Sequence, residues 1–417
     1  MGMTRDERQE ICIQKWKKTN GKATIEAGTG FGKTVVGLKI ISRLVERKPN
    51  LDVIIVVPTI TLKEQWESKL GGLLNNCTVL VINTVIKEVN NCDLLIIDEI
   101  HRVFADTFKE VFKCVGYKYI LGLTATVERL DGKHEIIKEY CPVCDTISLL
   151  ECTANGWVAP YVEYLVLLDV DDFDVYSDIN TKFNEAFEYF GFDFPLAMSL
   201  IGPDGWKKQL KLRDKMCPDG SDAQKLETLR NIKIMSAQFM RALQGRKKFI
   251  NNHPKKLDIA RKIILNRPDS KIITFSNNIS MAESIGFGLA YSGKDTKKKG
   301  RATLEQIRNG EVMVLNTVQK ANEGLSVDDL SVAIMLGIDS SKTKAVQRVG
   351  RTIRFEEGKR AEIFNIIINN TVELSWFANS HKGLDFTILD EERLEQVLRG
   401  EDPKPYNKKI KQFMYRF

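Results

Sequence analysis

No run in the 417 residues approaches the ~18 consecutive apolar residues that a membrane-spanning helix needs. The first residues, MGMTRDERQE, are polar and charged where a secretory signal would carry an apolar core. Asp6 stands where the myristoylation pattern requires Ser or Thr. The expectation is a soluble chain that works inside the cell, with no membrane partner. Histidine is scarce, at four residues, and the eight cysteines are scattered. A structural zinc takes four ligands. The sequence has a single C-x-x-C, Cys141-Pro-Val-Cys144, with Cys152 beyond, and Cys114 or His134 would have to complete a site. The reading is therefore a reduced thiol pair rather than a metal site. Internal repeats and low-complexity segments are also missing, which sets aside solenoids and long linkers. Acidic residues do not dominate: 62 Lys and Arg against 55 Asp and Glu give a net charge of +7. That excess suits a polyanionic partner without defining one.

What is present is a repeated alternation. Short β-rich runs, ATIEA (23–27), DVIIVVP (52–58), TVLVI (78–82), DLLIID (93–98) and YILGLT (119–124), are separated by amphipathic helical stretches such as Lys33 to Glu46 and Thr61 to Leu70. Buried strands alternating with helices predict βαβ units and a parallel sheet. The texture returns in KIITFS (271–276), VMVLNT (312–317), VAIMLG (332–337) and IFNIII (363–368). We read two α/β domains, 1–160 and 251–417, with a helical insertion or linker over 161–250. Inside the insertion, Tyr176, Ile179, Phe183, Phe187 and Phe190 fall at helical spacing, which favours a packed core over a base-stacking row. Phe192 and Phe194, after Gly191, are the candidates for exposure.

Chemistry enters at the end of the first β run. ATIEA leads into GTGFGKT and then a helix, the strand–loop–helix order of a phosphate-binding loop. Glycines let the backbone wrap closely around phosphates. The loop residues are Gly28, Thr29, Gly30, Phe31, Gly32, Lys33 and Thr34. Lys33 is placed to reach the phosphates of ATP and Thr34 to ligate Mg²⁺. Ala27 stands where the general pattern has its first glycine. About 65 residues beyond Lys33, DLLIID delivers Asp98 and Glu99 at a strand end, followed by His101. Ligands of open α/β sheets bind at that end. Asp98 suits Mg²⁺ and Glu99 suits activation of the attacking water. In the second domain, AVQRVGRTIRF supplies Gln347, Arg348, Arg351 and Arg354. Arg351 and Arg354 share a helical face and could stabilise a phosphoryl transition state, or equally form a basic solvated face.

Taken together and in order, these segments resemble the motifs of superfamily 2 helicases over nearly the full length. AGTGFGKT is similar to motif I, VVPTITLKEQW to motif Ia, DEIH to motif II of the DExH (DEAH-box-like) type, and Thr124-Ala125-Thr126 to motif III. TFSNN (274–278) resembles motif IV, NTVQKANEGLSV (316–327) motif V and QRVGRTIR (347–354) motif VI. TATVERLDG (124–132) is similar to a stretch of XPB-like helicases, poxvirus transcript-release helicases and phage recombination helicases of the UvsW type, with Val127 for the usual proline. The short chain looks most like a phage or viral member.

The resemblance implies two tandem RecA-like domains and an ATP- and Mg²⁺-dependent hydrolase. It implies that Gln9 reads adenine, with Gln14 as a rival and Arg5 or Arg8 nearby. Lys33 and Thr34 would hold phosphate and metal, Asp98 the metal, and Glu99 would be the base. Gln347, Arg351 and Arg354 would reach across to the γ-phosphate. Pro58, Thr59, Thr84, Ser276 and Thr317 would contact the nucleic-acid backbone. Ser326 departs from a frequent Asp of motif V. The implied activity is a DNA helicase of 3′→5′ polarity acting on single-stranded, forked or branched DNA in replication or recombination, as a monomer or weak oligomer. The implied setting is the cytoplasm of a bacterial or phage-infected cell, or the nucleocytoplasm for a eukaryotic virus. A double-strand translocase or transcript-release factor, an RNA helicase, and the motor of a nuclease complex are the competing readings. The tail KPYNKKIKQFMYRF interleaves basic and aromatic residues, which suits either single-strand contact or docking on the second domain.

Overall fold

Strands covered on both faces read as unbroken apolar runs, and the first sheet has such runs at 53–57 and 94–97. Its strands are β1 (Lys22–Ala27), β2 (Val53–Val57), β3 (Cys77–Val81), β4 (Asn90–Asp98), β5 (Val115–Thr124) and β6 (Val143–Ile147). β2 is buried at every position and β4 from Leu94 to Asp98. The order is β3-β2-β4-β5-β1-β6 and every pairing is parallel. All six C-terminal ends therefore point to one edge, where Glu26 lies beside Thr124 and Asp98 beside Leu123. The computed structural model describes residues 2–87, 90–102, 110–125, 127, 139–292, 295, 297–318, 330–338, 360–381 and 384–406.

Helix α1 (Arg5–Lys18) opens with a reciprocal cap between Thr4 and Glu7 and buries Cys12, Ile13 and Trp16. Buried Arg8 ties it to the sheet, pairing with Asp145 at 2.5 Å and Glu151 at 2.7 Å. α2 (Lys33–Arg47) and α3 (Ile60–Leu70) follow β1 and β2.

The second sheet holds β7 (Tyr161–Leu168), β8 (Lys271–Ser276), β9 (Leu289–Tyr291), β10 (Val314–Val318), β11 (Leu330–Met335), β12 (Ala361–Ile368) and β13 (Thr387–Leu389). It is again all parallel, in the order β13-β7-β12-β11-β8-β10-β9. The sequence reading places 161–168 in the insertion. It is instead a strand beside β12, in register from Tyr161 opposite Ala361 to Leu168 opposite Ile368. The apolar run is interrupted by Glu163, whose buried carboxylate accepts from Asn365 Nδ2 at 2.8 Å and lies 2.9 Å from His381 Nε2. A second buried pair, Lys256 and Glu373 at 2.7 Å, joins the helices Pro254–Leu265 and Val372–Ser380.

Between β7 and β8 the chain forms the helices Phe173–Tyr189, Phe194–Ser199, Gly205–Met216 and Asp222–Asn252. Phe183, Phe190, Leu200, Ile232 and Phe239 give them a core of their own. Asp172 and His253, 2.9 Å apart, close the base of this helical unit, and Val372 N donates to the Tyr176 hydroxyl at 2.9 Å. Most of the aromatic row is thus packed, while Phe192 is 63% exposed. Among the described residues no helix is long and apolar enough to cross a membrane.

Candidate active site

The phosphate-binding loop leaves the buried end of β1 and is shaped by two glycines in the left-handed region, Gly30 at φ +90° and Gly32 at φ +94°. A side chain at either would also collide. A Cβ on Gly30 would stand 2.6 Å from Val158 Cγ1, and one on Gly32 2.8 Å from Gln9 Nε2. Gly32 is the N-cap of α2, so the loop delivers Lys33 and Thr34 into the first turn, where unpaired backbone N–H groups and the positive dipole end favour an anion. Phe31 points inward, fully buried, against Trp157. Lys33 Nζ donates to the Ala27 carbonyl at 2.9 Å, across the mouth of the loop.

Gln9 is buried and donates through Nε2 to the Phe31 carbonyl at 2.9 Å, while Gln14 is exposed. Gln9 is thereby the glutamine that touches the loop. Arg8 is committed to Asp145 and Glu151, and Arg5 donates to the Trp157 carbonyl.

The neighbouring carboxylates stand at the end of β4. Asp98 is buried, accepts from Trp66 Nε1 at 2.9 Å and from the Glu99 amide at 3.0 Å. Burial, with Glu99 alongside, pushes its carboxyl up to about 6, while Trp66 and Lys33 pull the other way. The donation from Trp66 is one the sequence reading misses. Its only signal is the tryptophan closing VVPTITLKEQW, and nothing in linear spacing aims it at Asp98. Glu99 adopts φ +53°, uncommon for a residue with a side chain and characteristic of strained functional positions. Its Oε2 lies 3.4 Å from His101 Nδ1, and His101 in turn meets Thr124 Oγ1 at 2.9 Å, linking the DEIH segment to the end of β5.

Among the described residues, two buried side-chain oxygens here have no hydrogen-bond partner, Thr29 Oγ1 in the loop and Glu99 Oε2 after β4, 3.4 Å from His101 Nδ1. Buried polar atoms are ordinarily satisfied, so two such oxygens at the loop and at the end of β4 fit a polar ligand. The donor set of amides, Lys33, the Thr34 hydroxyl and a carboxylate suits a nucleoside triphosphate with a hard divalent cation.

The other predicted residues divide. Pro58 and Thr59 follow β2 on the same edge, where the Thr59 hydroxyl caps α3 by accepting from Leu62 N at 3.3 Å. Thr84 is exposed in the short helix Ile82–Val85 after β3. Ser276 and Thr317 are fully buried, contrary to a role as surface contacts. Ser276 donates to the Asn278 and Thr317 carbonyls, and Thr317 to the Thr274 carbonyl at 2.7 Å, so both hydroxyls hold the second sheet together. Gln347, Arg351, Arg354, Thr126, His134, Ser326 and the tail from 407 lie outside the described residues. Burial pushes the Cys141 thiol up to about 12 and the Cys144 thiol up to about 11. Among the described residues no cluster of His, Cys, Asp and Glu is arranged to hold a metal ion.

Comparison with known proteins matches this arrangement domain by domain. Residues 3–92 and 83–129 match the family described as type III restriction enzyme, res subunit, and residues 255–356 match the helicase conserved C-terminal domain. The second match contains the QRVGRTIR segment. The chain is 26% identical over 392 residues to the DNA 3′-5′ translocase XPB2 of Sulfurisphaera tokodaii, covering 88% of this chain and 82% of that protein. It is 23% identical over 407 residues to putative helicase 22 of a Sulfolobus islandicus filamentous virus, covering 87% of this chain and 65% of the viral protein. In fold it is similar to S. cerevisiae Dbp5 bound to RNA and ADP BeF3, with a TM-score of 0.59 at 11% identity, over 94% of this chain and 91% of that one. It is also similar to the Pyrococcus furiosus Hef helicase domain, with a TM-score of 0.50 at 17% identity, over 92% and 100%.

Proposed function

The chain belongs to the superfamily 2 helicases, ATP-hydrolysing proteins that act on nucleic acid, and on that premise we propose that it is a DNA motor working 3′→5′ on single-stranded, forked or branched DNA. The observation that carries the reading is the gathering of Lys33, Asp98 and Glu99 on one sheet edge, with Thr29 Oγ1 and Glu99 Oε2 lacking a hydrogen-bond partner among the described residues. The choice of DNA and of polarity draws on the XPB2 relative, described as a DNA 3′-5′ translocase.

In this proposal Lys33 leaves the Ala27 carbonyl to meet the β- and γ-phosphates, and the loop amides take the remaining oxygens. Thr34 and Asp98 would hold a magnesium ion, which supplies charge neutralisation at the phosphates when bound. Glu99 orients the attacking water and takes its proton. Gln347, Arg351 and Arg354 would complete the charge from the second domain. Contacts made only while the γ-phosphate is present favour a closed arrangement of the two sheets, and their loss on hydrolysis releases it. Alternating closure moves the protein along a strand gripped mainly through phosphates, so binding should be strongly salt-dependent and weakly sequence-dependent.

The helical unit between β7 and β8 supplies a further surface. Helix Gly205–Met216 carries Lys207, Lys208, Lys211, Arg213 and Lys215 against a single acid, Asp214, and has in its first turn Trp206, which is 59% exposed. Exposed aromatic and basic residues together suit single-stranded nucleic acid. The XPB2 relative also favours a second reading, a translocase that moves without separating strands.

The test is ATP hydrolysis measured across single-stranded, duplex, forked and four-way DNA and the matching RNAs, with strand displacement on the same set. The proposal expects the largest stimulation with forked or branched DNA, together with displacement. Stimulation by duplex alone without displacement supports the translocase reading, and stimulation confined to RNA contradicts both.

A further inference from the structure

On the edge of the first sheet opposite the phosphate-binding loop, the C-terminal ends of α1 and α2 leave a cleft of 410 Å³ between them. α2 has 15 residues and its first turn is the phosphate-binding loop's exit, so about 20 Å of helix separates the two places. The cleft floor is apolar: Ile13, Trp16, Ile40, Leu44 and the Tyr119 ring. Trp16 turns its polar edge away, donating Nε1 to the Ile120 carbonyl at 2.9 Å, so what it offers the cleft is hydrocarbon.

The rim is positive. Of the cations that line the cleft, Arg43 is neutralised by Glu10 at 2.6 Å, as Lys39 further along α2 is by Asp6. Lys17 and Arg47, also on the lining, have no acidic partner among the described residues. Lys118 Nζ sits 5.3 Å from the Tyr119 ring centre, adding a third cation nearby. Cations at helix C-termini often do no more than offset the helix dipole. Here two such termini also frame a hollow, apolar at its floor and polar at its rim, of a size that binding pockets commonly have.

We propose that this cleft is a docking site for an acidic peptide segment of a partner protein, which inserts one large apolar or aromatic side chain between α1 and α2 and pairs its flanking carboxylates with Lys17 and Arg47. Charge complementarity selects an acidic occupant, and the apolar floor selects a side-chain anchor. A nucleic-acid strand is the poorer fit, because it needs a continuous track with open ring faces, and both the Trp16 ring and the loop at Gly21 are packed against Tyr119. The segment of this chain from 407 to 417 is itself basic and is not the complement. The inference does not depend on what the ATPase motor acts upon.

The experiment is fluorescence anisotropy with the full chain and a labelled short peptide of acidic residues around one central phenylalanine. Two peptide controls are used, one with serine at the centre and one with lysines replacing the acids. The variants are the double charge reversal Lys17→Glu/Arg47→Glu, at exposed positions, and Leu44→Trp, which fills the hollow. Basal ATP hydrolysis and Tm check that each variant is folded. The proposal expects the acidic aromatic peptide to bind, each control peptide and each folded variant to weaken it by at least about tenfold, and unlabelled single-stranded DNA to leave it in place. Equal binding of the control peptides, undiminished binding by the charge-reversed protein, or displacement by single-stranded DNA would each overturn it; the last would make the rim a nucleic-acid surface.

Discussion

At the scale of single residues, two buried charge clusters join segments distant in sequence. Asp145 belongs to the first. Burial alone would raise its carboxyl, but Arg8 and Lys15 hold it below the usual carboxylate range. A depressed carboxylate contributes stability that is present above its unfolded pKa, near ~3.9, and lost as pH falls through the lower folded value. Asp145→Asn leaves Arg8 buried without its main partner and is expected to cost about 3 kcal/mol at neutral pH. Denaturant unfolding at a series of pH values checks this: the gap between the two proteins should be constant above pH ~5 and narrow below pH ~4. Lys256 and Glu373, both fully buried, make a second case. Lys256→Met alone should destabilise by about 3–5 kcal/mol, and adding Glu373→Leu should recover most of that, because the cost lies in the unpaired charge. Urea midpoints of the single and double variants decide it.

At the scale of elements, the phosphate-binding loop depends on backbone more than on side chains. Gly32→Ala forces a Cβ into the left-handed region, at about 1–2 kcal/mol, and against Gln9 Nε2. The expected result is ATP affinity reduced at least about tenfold with a modest loss of Tm, measured by titration with a fluorescent nucleotide. The helical unit is a separable element with its own core, closed at its base by Asp172 and His253. Reversing Lys207, Lys208 and Lys211 to Glu should leave basal hydrolysis unchanged while weakening DNA binding and its salt dependence, read as the slope of log K against log salt. A slope identical to wild type would remove that helix from the interface. The elements were legible in the sequence to very different degrees. The runs ending at Val57 and Asp98 are apolar on both faces, so their identity as buried parallel strands needs no tertiary information, whereas the run ending at Ala27 alternates with Thr24 and Glu26 and is marked by the glycine loop that follows it. β7 was not legible, because Glu163 breaks its apolar pattern and only Asn365 and His381, some two hundred residues away, make that carboxylate tolerable.

At the scale of the whole molecule, two parallel sheets each bring their strand ends to one edge, and the first such edge gathers Lys33, Asp98 and Glu99, the residues proposed to bind and hydrolyse ATP. The position of the GTGFGKT loop and of Asp98 at strand ends could be read directly, since apolar runs lead into both. The Trp66 bond to Asp98 and the burial of Ser276 and Thr317 could not, since hydroxyl and indole positions in a motif do not reveal whether they face a ligand or the protein's own carbonyls. The central claim is that Glu99 activates water for a hydrolysis coupled to nucleic acid. The most direct measurement is ATP turnover by wild type and Glu99→Gln, each with and without DNA, alongside nucleotide and DNA binding by both. The account predicts DNA-stimulated turnover in wild type and, in Glu99→Gln, a loss of at least about 10²-fold in kcat with both ligands still bound. Near-normal turnover in Glu99→Gln, or wild-type turnover indifferent to every nucleic acid, would contradict it.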